Sequence, residues 1–376
     1  MLDVKKIVSL LFEKEVKFFA GVPDSLLKDF CACITDTVSP ENNIVAANEG
    51  AAVAMAAGNF LATGKIPLVY MQNSGLGNAI NPLLSLADDE VYSIPMILFI
   101  GWRGEPGVKD EPQHKKQGKV TLALLEAMQI PAIILNPEDA NAAEQLVEVI
   151  SQAKLTNTPR AVVIRKDTFG SYEQQKKITN QFPLSREEAV KLFVDTVNSE
   201  GIAVTTTGKL SRELFEYREF TGTGHANDFL TVGSMGHSSS IALGIAIAKP
   251  GRSIWCLDGD GAIIMHLGAV TSIGSIAPAN FRHIVFNNGM HESVGVQATC
   301  AFGLDFSEIA KGCRYKAYWK AENAEEFISA IQQAQNCEGP VLIEVLINAR
   351  SRKDLGRPTI SPVMNKIDFI SNLSAE

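Results

Sequence analysis

Two short polar runs carry the residue types of a metal and phosphate site. Gly259-Asp260-Gly261 closes the apolar run Trp255-Cys256-Leu257, and Asn287-Asn288 closes His283-Ile284-Val285-Phe286. A carboxylate with amide oxygens suits a hard cation such as Mg²⁺, which keeps phosphate oxygens among its ligands. The glycines let backbone approach a phosphate, and the helix expected to begin near Ala262 aims its N-terminal N–H groups at one. Either run alone is an ordinary turn. With 25 residues between them, each ending a strand-like run, they fit one strand–helix–strand unit that delivers both to the same edge of a parallel sheet. The pair reads as a site for a magnesium diphosphate.

The elements that must position such a site alternate along the chain. Apolar runs at Pro67–Met71, Ile94–Ile100, Ala132–Leu135 and Ala161–Ile164 predict buried parallel strands, accompanied by helices at Glu49–Ala62 and Ala140–Ala153. A second set places strands at Ile202–Thr205, Ser253–Leu257, His283–Phe286 and Val341–Leu346. Its helices fall at Arg186–Val197, Ser239–Ala248, Ala262–Ile273 and Ala324–Ala334. The polar stretch Thr168–Ser185, with Gly170 and Pro183, is the linker between them. The expected fold class is α/β, with two doubly wound parallel-sheet domains near residues 1–175 and 180–376.

Composition narrows the function classes. A chain of 376 residues, 46% hydrophobic and 20% charged, is that of a globular protein. Its formal charge of −8 argues against nucleic acid or an anionic membrane as the main partner. No run reaches the roughly 18 apolar residues of a membrane span, and the N-terminus lacks the pattern of a signal peptide. Six cysteines are scattered without a Cys-x-x-Cys; Cys31-Ala32-Cys33 reads as two faces of one helix, and the expected compartment is the reducing cytoplasm.

The first half holds a second candidate. Asn48-Glu49-Gly50-Ala51-Ala52-Val53-Ala54-Met55-Ala56-Ala57-Gly58 is a helix of small apolar residues with one carboxylate at its start. Glu49 suits a helix N-terminus on electrostatic grounds alone. A helix apolar on all faces should nevertheless be buried, and a buried carboxylate can share a proton with a heterocycle.

The Gly-Asp-Gly and Asn-Asn pair, together with Asn48-Glu49-Gly50-Ala51-Ala52, resembles the signature of thiamine diphosphate enzymes, and the likeness extends over nearly the whole chain. It implies the thiamine diphosphate-binding fold, with residues 1–175 as the pyrimidine-binding domain that donates the glutamate and 180–376 as the diphosphate and metal domain. It implies Mg²⁺ bound by Asp260, Asn288 and the carbonyl of Met290, and cofactor contacts from Gly259, Gly261, Ala262, Thr207 and Gly208. In Val232-Gly233-Ser234-Met235-Gly236-His237 it implies that Gly233, Ser234 and Met235 cradle the aminopyrimidine, with Met235 as the wedge that bends the cofactor. Glu49 would bond to N1′ and so activate C2 of the thiazolium, and the active sites would form between subunits of a homo-oligomer.

Further segments resemble a compact 2-oxoacid decarboxylase branch, and the likeness of the Trp102–Gln113 stretch implies phosphonopyruvate as the substrate, with sulfopyruvate as the alternative. They are Gly21-Val22-Pro23-Asp24-Ser25, Gln72-Asn73-Ser74-Gly75-Leu76-Gly77-Asn78, Gly101-Trp102-Arg103-Gly104-Glu105-Pro106-Gly107, Glu111-Pro112-Gln113-His114 and Ser351-Arg352-Lys353-Asp354. Asp24 and His114 are the expected proton-handling groups, although Asp24 also suits an N-cap for a helix beginning at Ser25. Arg103 to Lys119 reads as a long basic loop able to grip an anion, or else as a solvated loop whose lysines balance Glu105, Asp110 and Glu111. Candidate substrate contacts are Arg103, Lys109, Gln117, His291, Arg352 and Lys353. An acetolactate-type carboligase uses the same cofactor chemistry and stays as an alternative. A dinucleotide-binding protein is disfavoured, because Gly75-Leu76-Gly77 lacks the third glycine of that fingerprint.

Overall fold

In the computed structural model, which describes residues 1–176, 179–352 and 354–374, the chain divides into two units. The first holds Met1–Ile178 and the short segment His291–Gln297; the second holds Thr179–Met290 and Ala298–Glu376.

The first unit is built on six parallel strands: β1 (Phe19–Gly21), β2 (Asn43–Val45), β3 (Leu68–Gln72), β4 (Ile97–Gly101), β5 (Ala132–Leu135) and β6 (Arg160–Ile164), in the order β2-β1-β3-β4-β6-β5. Side chains alternate between two apolar layers, as a sheet covered on both faces requires. Leu68 and Tyr70 enter one core with Phe19, Phe30 and Phe99; Val69 and Met71 enter the other with Val53, Ile100 and Val163. The strand order reverses between β1 and β3, and at such a switch point the carboxyl ends of the strands frame a crevice.

The second unit repeats the plan. Strands β7 (Ile202–Thr205), β8 (Asp228–Leu230), β9 (Ile254–Gly259), β10 (Phe281–Asn287), β13 (Ala317–Ala321) and β14 (Val341–Leu346) are parallel, in the order β13-β14-β10-β9-β7-β8. Outside both six-stranded sheets, two-residue strands β11 (Met290–His291) and β12 (Gln297–Ala298) form a ribbon of their own. Trp255 and Leu257 pack with Phe193 and Phe286, whereas Ile254 and Cys256 face the opposite core with Phe281, Val285 and Tyr315. Here the order reverses between β7 and β9, next to the Gly259-Asp260 turn.

In the two six-stranded sheets, four of the described strands escape the periodicity reading: β1, β2, β8 and β13. Three of these are only three residues long, too short to display alternation. The helix expected at Ala262–Ile273 is two helices, Asp260–Met265 and Ala269–Ile276. The break spans His266-Leu267-Gly268, and the second helix packs so closely that a Cβ on Gly274 would lie 1.4 Å from the Cys313 carbonyl oxygen. The expected loop from Arg103 to Lys119 ends at Glu111, because Pro112 opens a helix that runs to Ala127. Proline at the first helical position has no N–H to leave unsatisfied and is preset for the helical φ.

The Glu49–Thr63 helix is capped by Asn48, whose side chain accepts from the Ala51 N–H at 2.9 Å, and it stops at Gly64 in the left-handed region, φ 67°. Burial on all faces is not what the fold provides. Ala52, Val53, Ala56 and Ala57 are buried, whereas Ala54, Gly58 and Leu61 lie exposed along the other side. Among the described residues no helix is long and apolar enough to cross a membrane.

Phe30, on the helix after the Asp24 turn, ties the first core together, with ring centroids 5.1 Å from Phe99, 5.9 Å from Phe169 and 6.2 Å from Phe19. Phe30→Ala is expected to destabilise the protein by about 3–5 kcal/mol, measured as a lowered urea midpoint. A loss below about 1 kcal/mol would show that this aromatic cluster does not anchor the unit.

Candidate active site

In the first unit the polar residues sit where four neighbouring strands end. Asp24 follows β1, Glu49 follows β2, Gln72–Asn78 continues from β3 and Arg103 follows β4. Glu49 is buried and its Oε2 accepts from Asn78 Nδ2 at 2.7 Å. Gly75 lies against the same carboxylate: a Cβ there would stand 2.3 Å from Oε1. Asp24 is fully buried; its Oδ1 accepts from Gln72 Nε2 at 2.6 Å and its Oδ2 from the Leu26 N–H at 2.9 Å. Burial raises the Asp24 pKa, and the Gln72 and Leu26 bonds hold part of that rise back. Asp24 is not a helix N-cap, because the following helix starts at Lys28 with Leu27 at its cap position.

Arg103 is held from three sides. Its Nε donates to Asp110 Oδ2 at 2.8 Å, its Nη2 to Asp110 Oδ1 and its Nη1 to Ser25 Oγ at 2.8 Å. The Asn73 side chain clamps its backbone, accepting from the Arg103 N–H at 3.1 Å and donating to the Arg103 carbonyl at 2.8 Å. Burial would raise the Asp110 pKa, but Arg103 and the N–H groups of Glu111 and Gly104 hold it well below the usual carboxylate range. His114 sits on the Pro112 helix, not on a loop. Burial, then the Arg103 charge, lowers its pKa to about 4, and its Nδ1 is buried without a hydrogen-bond partner among the described residues. Lys109 and Gln117 are exposed. Glu105 pairs with Arg165, so the acids of this segment are matched largely by arginines.

In the second unit the ends of β7, β9 and β10 and the segment after β8 carry the remaining candidates. Asp260 is buried, with the Thr299 hydroxyl donating to its Oδ2. Burial pushes its pKa up to about 6, and Thr299 with the N–H groups of Gly261 and Asn288 limits the rise. Asn288 Oδ1 accepts from the Met290 N–H at 3.1 Å, folding the loop so that its amide oxygen and the Met290 carbonyl belong to one turn. Asn287 points elsewhere, and its Nδ2 donates to Glu344 Oε1 of β14 at 2.7 Å. Thr207 Oγ1 donates to the Val232 carbonyl at 2.7 Å, which brings Thr207 and Gly208 beside Gly233, Ser234 and Met235. Gly208 has φ 103° and Ser234 φ 56°, the former open only to glycine without strain.

These residues fit a metal diphosphate on their own chemistry. Asp260, Asn288 Oδ1 and the Met290 carbonyl are hard oxygen donors of the kind Mg²⁺ takes. The Asp260 carboxylate is buried against a hydroxyl and N–H groups, and Thr206 Oγ1 is buried without a hydrogen bond. A Cβ on Gly259 would meet nothing within 4 Å, so the space over this turn is open.

Arg352 bonds to Glu187 and Glu216, which ties the C-terminal segment to the second unit and leaves its charge matched there. Lys353 lies outside the described residues. His291 belongs to the first unit, and burial lowers its pKa to about 4. Spacing gave no reason to single out Gln72, Asn78, Asp110 or Thr299. The first two lie in a segment that stands out by family likeness alone, and Thr299 is 39 residues from its partner.

Two measurements test this geometry. Gly75→Ala is expected to displace the Glu49 carboxylate and lower kcat by about tenfold or more, with a urea midpoint close to that of the parent. His114 should titrate by NMR near pH 4, below the 6.5 of a free imidazole. Since the folded state then binds fewer protons, the stability penalty of His114 should appear as pH falls through 6.5 and level off below about 4. A midpoint near 6.5 would contradict it.

Comparison with known proteins identifies the family. Residues 4–127 match the family model for the N-terminal TPP binding domain of thiamine pyrophosphate enzymes, and residues 206–345 match the C-terminal TPP binding domain. Phosphonopyruvate decarboxylase from Streptomyces viridochromogenes is 31% identical over 378 residues, covering 96% of this chain and 92% of the relative. The Streptomyces hygroscopicus phosphonopyruvate decarboxylase is 31% identical over 360 residues, 91% of this chain and 87% of the relative. Sulfopyruvate decarboxylase from Methanosarcina acetivorans is 26% identical over 366 residues, 91% of this chain and 90% of the relative. With both cofactor domains present and close relatives matched almost end to end, the chain belongs to the thiamine pyrophosphate enzymes, in the phosphonopyruvate decarboxylase family of carbon–carbon lyases that decarboxylate 2-oxoacids.

Proposed function

We propose that this chain catalyses the Mg²⁺- and thiamine diphosphate-dependent, non-oxidative decarboxylation of 3-phosphonopyruvate to phosphonoacetaldehyde and CO₂, a step of phosphonate biosynthesis. The observation that carries the substrate is the end-to-end likeness to phosphonopyruvate decarboxylases at 31% identity, against 26% for the sulfopyruvate enzyme.

In this reading the second unit holds the diphosphate and metal. Asp260, Asn288 and the Met290 carbonyl are the metal ligands, Gly259, Gly261, Ala262, Thr207 and Gly208 surround the diphosphate, and Gly233, Ser234 and Met235 cradle the aminopyrimidine. Bound thiamine diphosphate supplies the electron sink for the pair released when the bond to the carboxylate breaks. The chain's own residues bind, orient and move protons. Glu49 would share a proton with N1′ of the bound cofactor; the Asn78 amide occupies Oε2 and fixes the carboxylate plane, which leaves Oε1 for that proton. Asp24 and His114 handle the proton that the product carbon acquires, Asp24 as a buried acid and His114 as a neutral imidazole.

The phosphonate is met by Arg103, Lys109 and Gln117. Arg103 is oriented by Asp110 and Ser25, so a guanidinium N–H left over from those bonds faces an anion without a search of rotamers. His291, Arg352 and Lys353 are the secondary candidates for this role, the Arg352 charge being already shared with Glu187 and Glu216. A homo-oligomer with sites between subunits is supported by the exposed apolar side of the Glu49 helix, Ala54, Gly58 and Leu61.

Glu49→Gln should lower kcat by at least about 10²-fold while calorimetry still detects cofactor binding in the presence of Mg²⁺. Retained turnover would sink the role given to Glu49. Purified protein should release CO₂ from phosphonopyruvate with a higher kcat/KM than from sulfopyruvate; the reverse preference assigns the sulfonate instead.

A further inference from the structure

Away from the polar strand ends, the interior of the second unit holds a cluster that the reaction does not use. Cys256 and Asp258 are two residues apart on β9 and therefore share a face, and His283 of β10 is the direct register partner of Cys256. All three are fully buried, and one ligand atom from each lies within 4.8 Å of the others. This face is the core that holds Phe281, Val285 and Tyr315, so the three groups sit under the sheet surface in an apolar layer.

As a hydrogen-bonded network the cluster is poorly made. His283 Nε2 stands 3.4 Å from Asp258 Oδ2 and His283 Nδ1 stands 3.4 Å from the Tyr315 hydroxyl, both long for a buried pair. Among the described residues the other Asp258 oxygen accepts only from the Gly259 N–H, at 3.1 Å. Ser238 is buried beside the Cys256 thiol, and its Oγ, a weak donor to that sulfur at most, has no hydrogen bond of standard geometry among the described residues. A carboxylate at this depth with such partners is costly unless a cation compensates it.

We propose that Cys256, Asp258 and His283, with Ser238 at the fourth position, form a second metal site that takes a divalent first-row cation, zinc foremost. Sulfur, carboxylate and imidazole donors suit zinc and not magnesium. Ligands at zinc–nitrogen and zinc–oxygen distances of about 2.0–2.1 Å lie about 3.3–3.4 Å apart along a tetrahedral edge, which matches the 3.4 Å between Nε2 and Oδ2. Nδ1 then turns its proton to the Tyr315 hydroxyl, the outer contact that orients most metal-binding histidines. A thiolate and a carboxylate neutralise the 2+ charge, so the loaded site carries none into the apolar layer. With four protein donors and no exposure it is a closed, structural site, filled during folding. It would brace β9 against β10, the two strands whose ends carry Asp260 and Asn288, and it stands or falls independently of the substrate.

The test is elemental analysis of the full-length protein purified from zinc-supplemented culture. About one zinc per chain is expected, resistant to EDTA dialysis of the folded protein and released when the chain is unfolded in chelator. Cobalt substituted by refolding should give a thiolate-to-metal charge-transfer band in the near ultraviolet, absent in Cys256→Ser. His283→Gln should lose the zinc, whereas Asp260→Asn should keep it while losing Mg²⁺-dependent cofactor binding. Folded, active wild-type protein with less than about 0.1 transition metal per chain, as purified and after refolding with zinc, overturns the proposal whatever the variants do.

Discussion

The burial of Asp260 and Glu49 at strand ends, against amide, hydroxyl and N–H donors in place of basic side chains, is the interaction on which the remaining structure depends. A carboxylate taken out of water is unstable unless its surroundings are organised for it. Asp260 receives the Thr299 hydroxyl and main-chain N–H groups, and its pKa still rises to about 6. Glu49 receives the Asn78 amide and the bare side of Gly75. Each acid depends on a few directional donors, so each needs a rigid platform. The parallel sheet supplies it, covered on both faces and ending its strands along a single edge.

Strong basic partners are used elsewhere. Arg186 bonds to Glu213 and Arg218 to Asp228 in half-buried or buried pairs that hold helices of the second unit in place. Arg352 ties the C-terminal segment to Glu187 and Glu216. Arg103 occupies a middle position: its backbone is clamped by Asn73 and its side chain is aimed by Asp110 and Ser25. Charge in this chain therefore builds the frame, and the reactive acids are left to be balanced by what binds. The segment from Gln72 to Asn78 links these roles within the first unit. It touches Asp24 through Gln72, Arg103 through Asn73 and Glu49 through Gly75 and Asn78.

Much of this was legible from residue order. Long buried strands such as β3, β4 and β14 announce themselves by unbroken apolar runs, and the alternation of strand and helix leads to a parallel α/β plan. The Gly259-Asp260-Gly261 and Asn287-Asn288 pair is readable because both halves lie at the ends of adjacent strands, joined by a single crossover. Less visible were the three-residue strands β1, β2 and β8, which take their conformation from neighbours. What Asn287 does could not be read from its place in the pair; it faces Glu344 of β14. The basic stretch after Trp102 read as one loop, although Pro112 starts a helix within it and carries His114 with it.

Chain order alone determined the fold class, the two-unit plan and the residue types able to hold a metal diphosphate, because strand alternation and strand-end motifs are local properties. Only the tertiary structure decided which amide or hydroxyl holds which acid, since Asn78 and Glu49, Gln72 and Asp24, and Thr299 and Asp260 are separated by 29, 48 and 39 residues. It also decided that Cys256, Asp258 and His283 share one buried face. The physical reason is register: a one-residue slip between β9 and β10 would turn His283 to the opposite core, and residue spacing cannot specify which partner a strand will take.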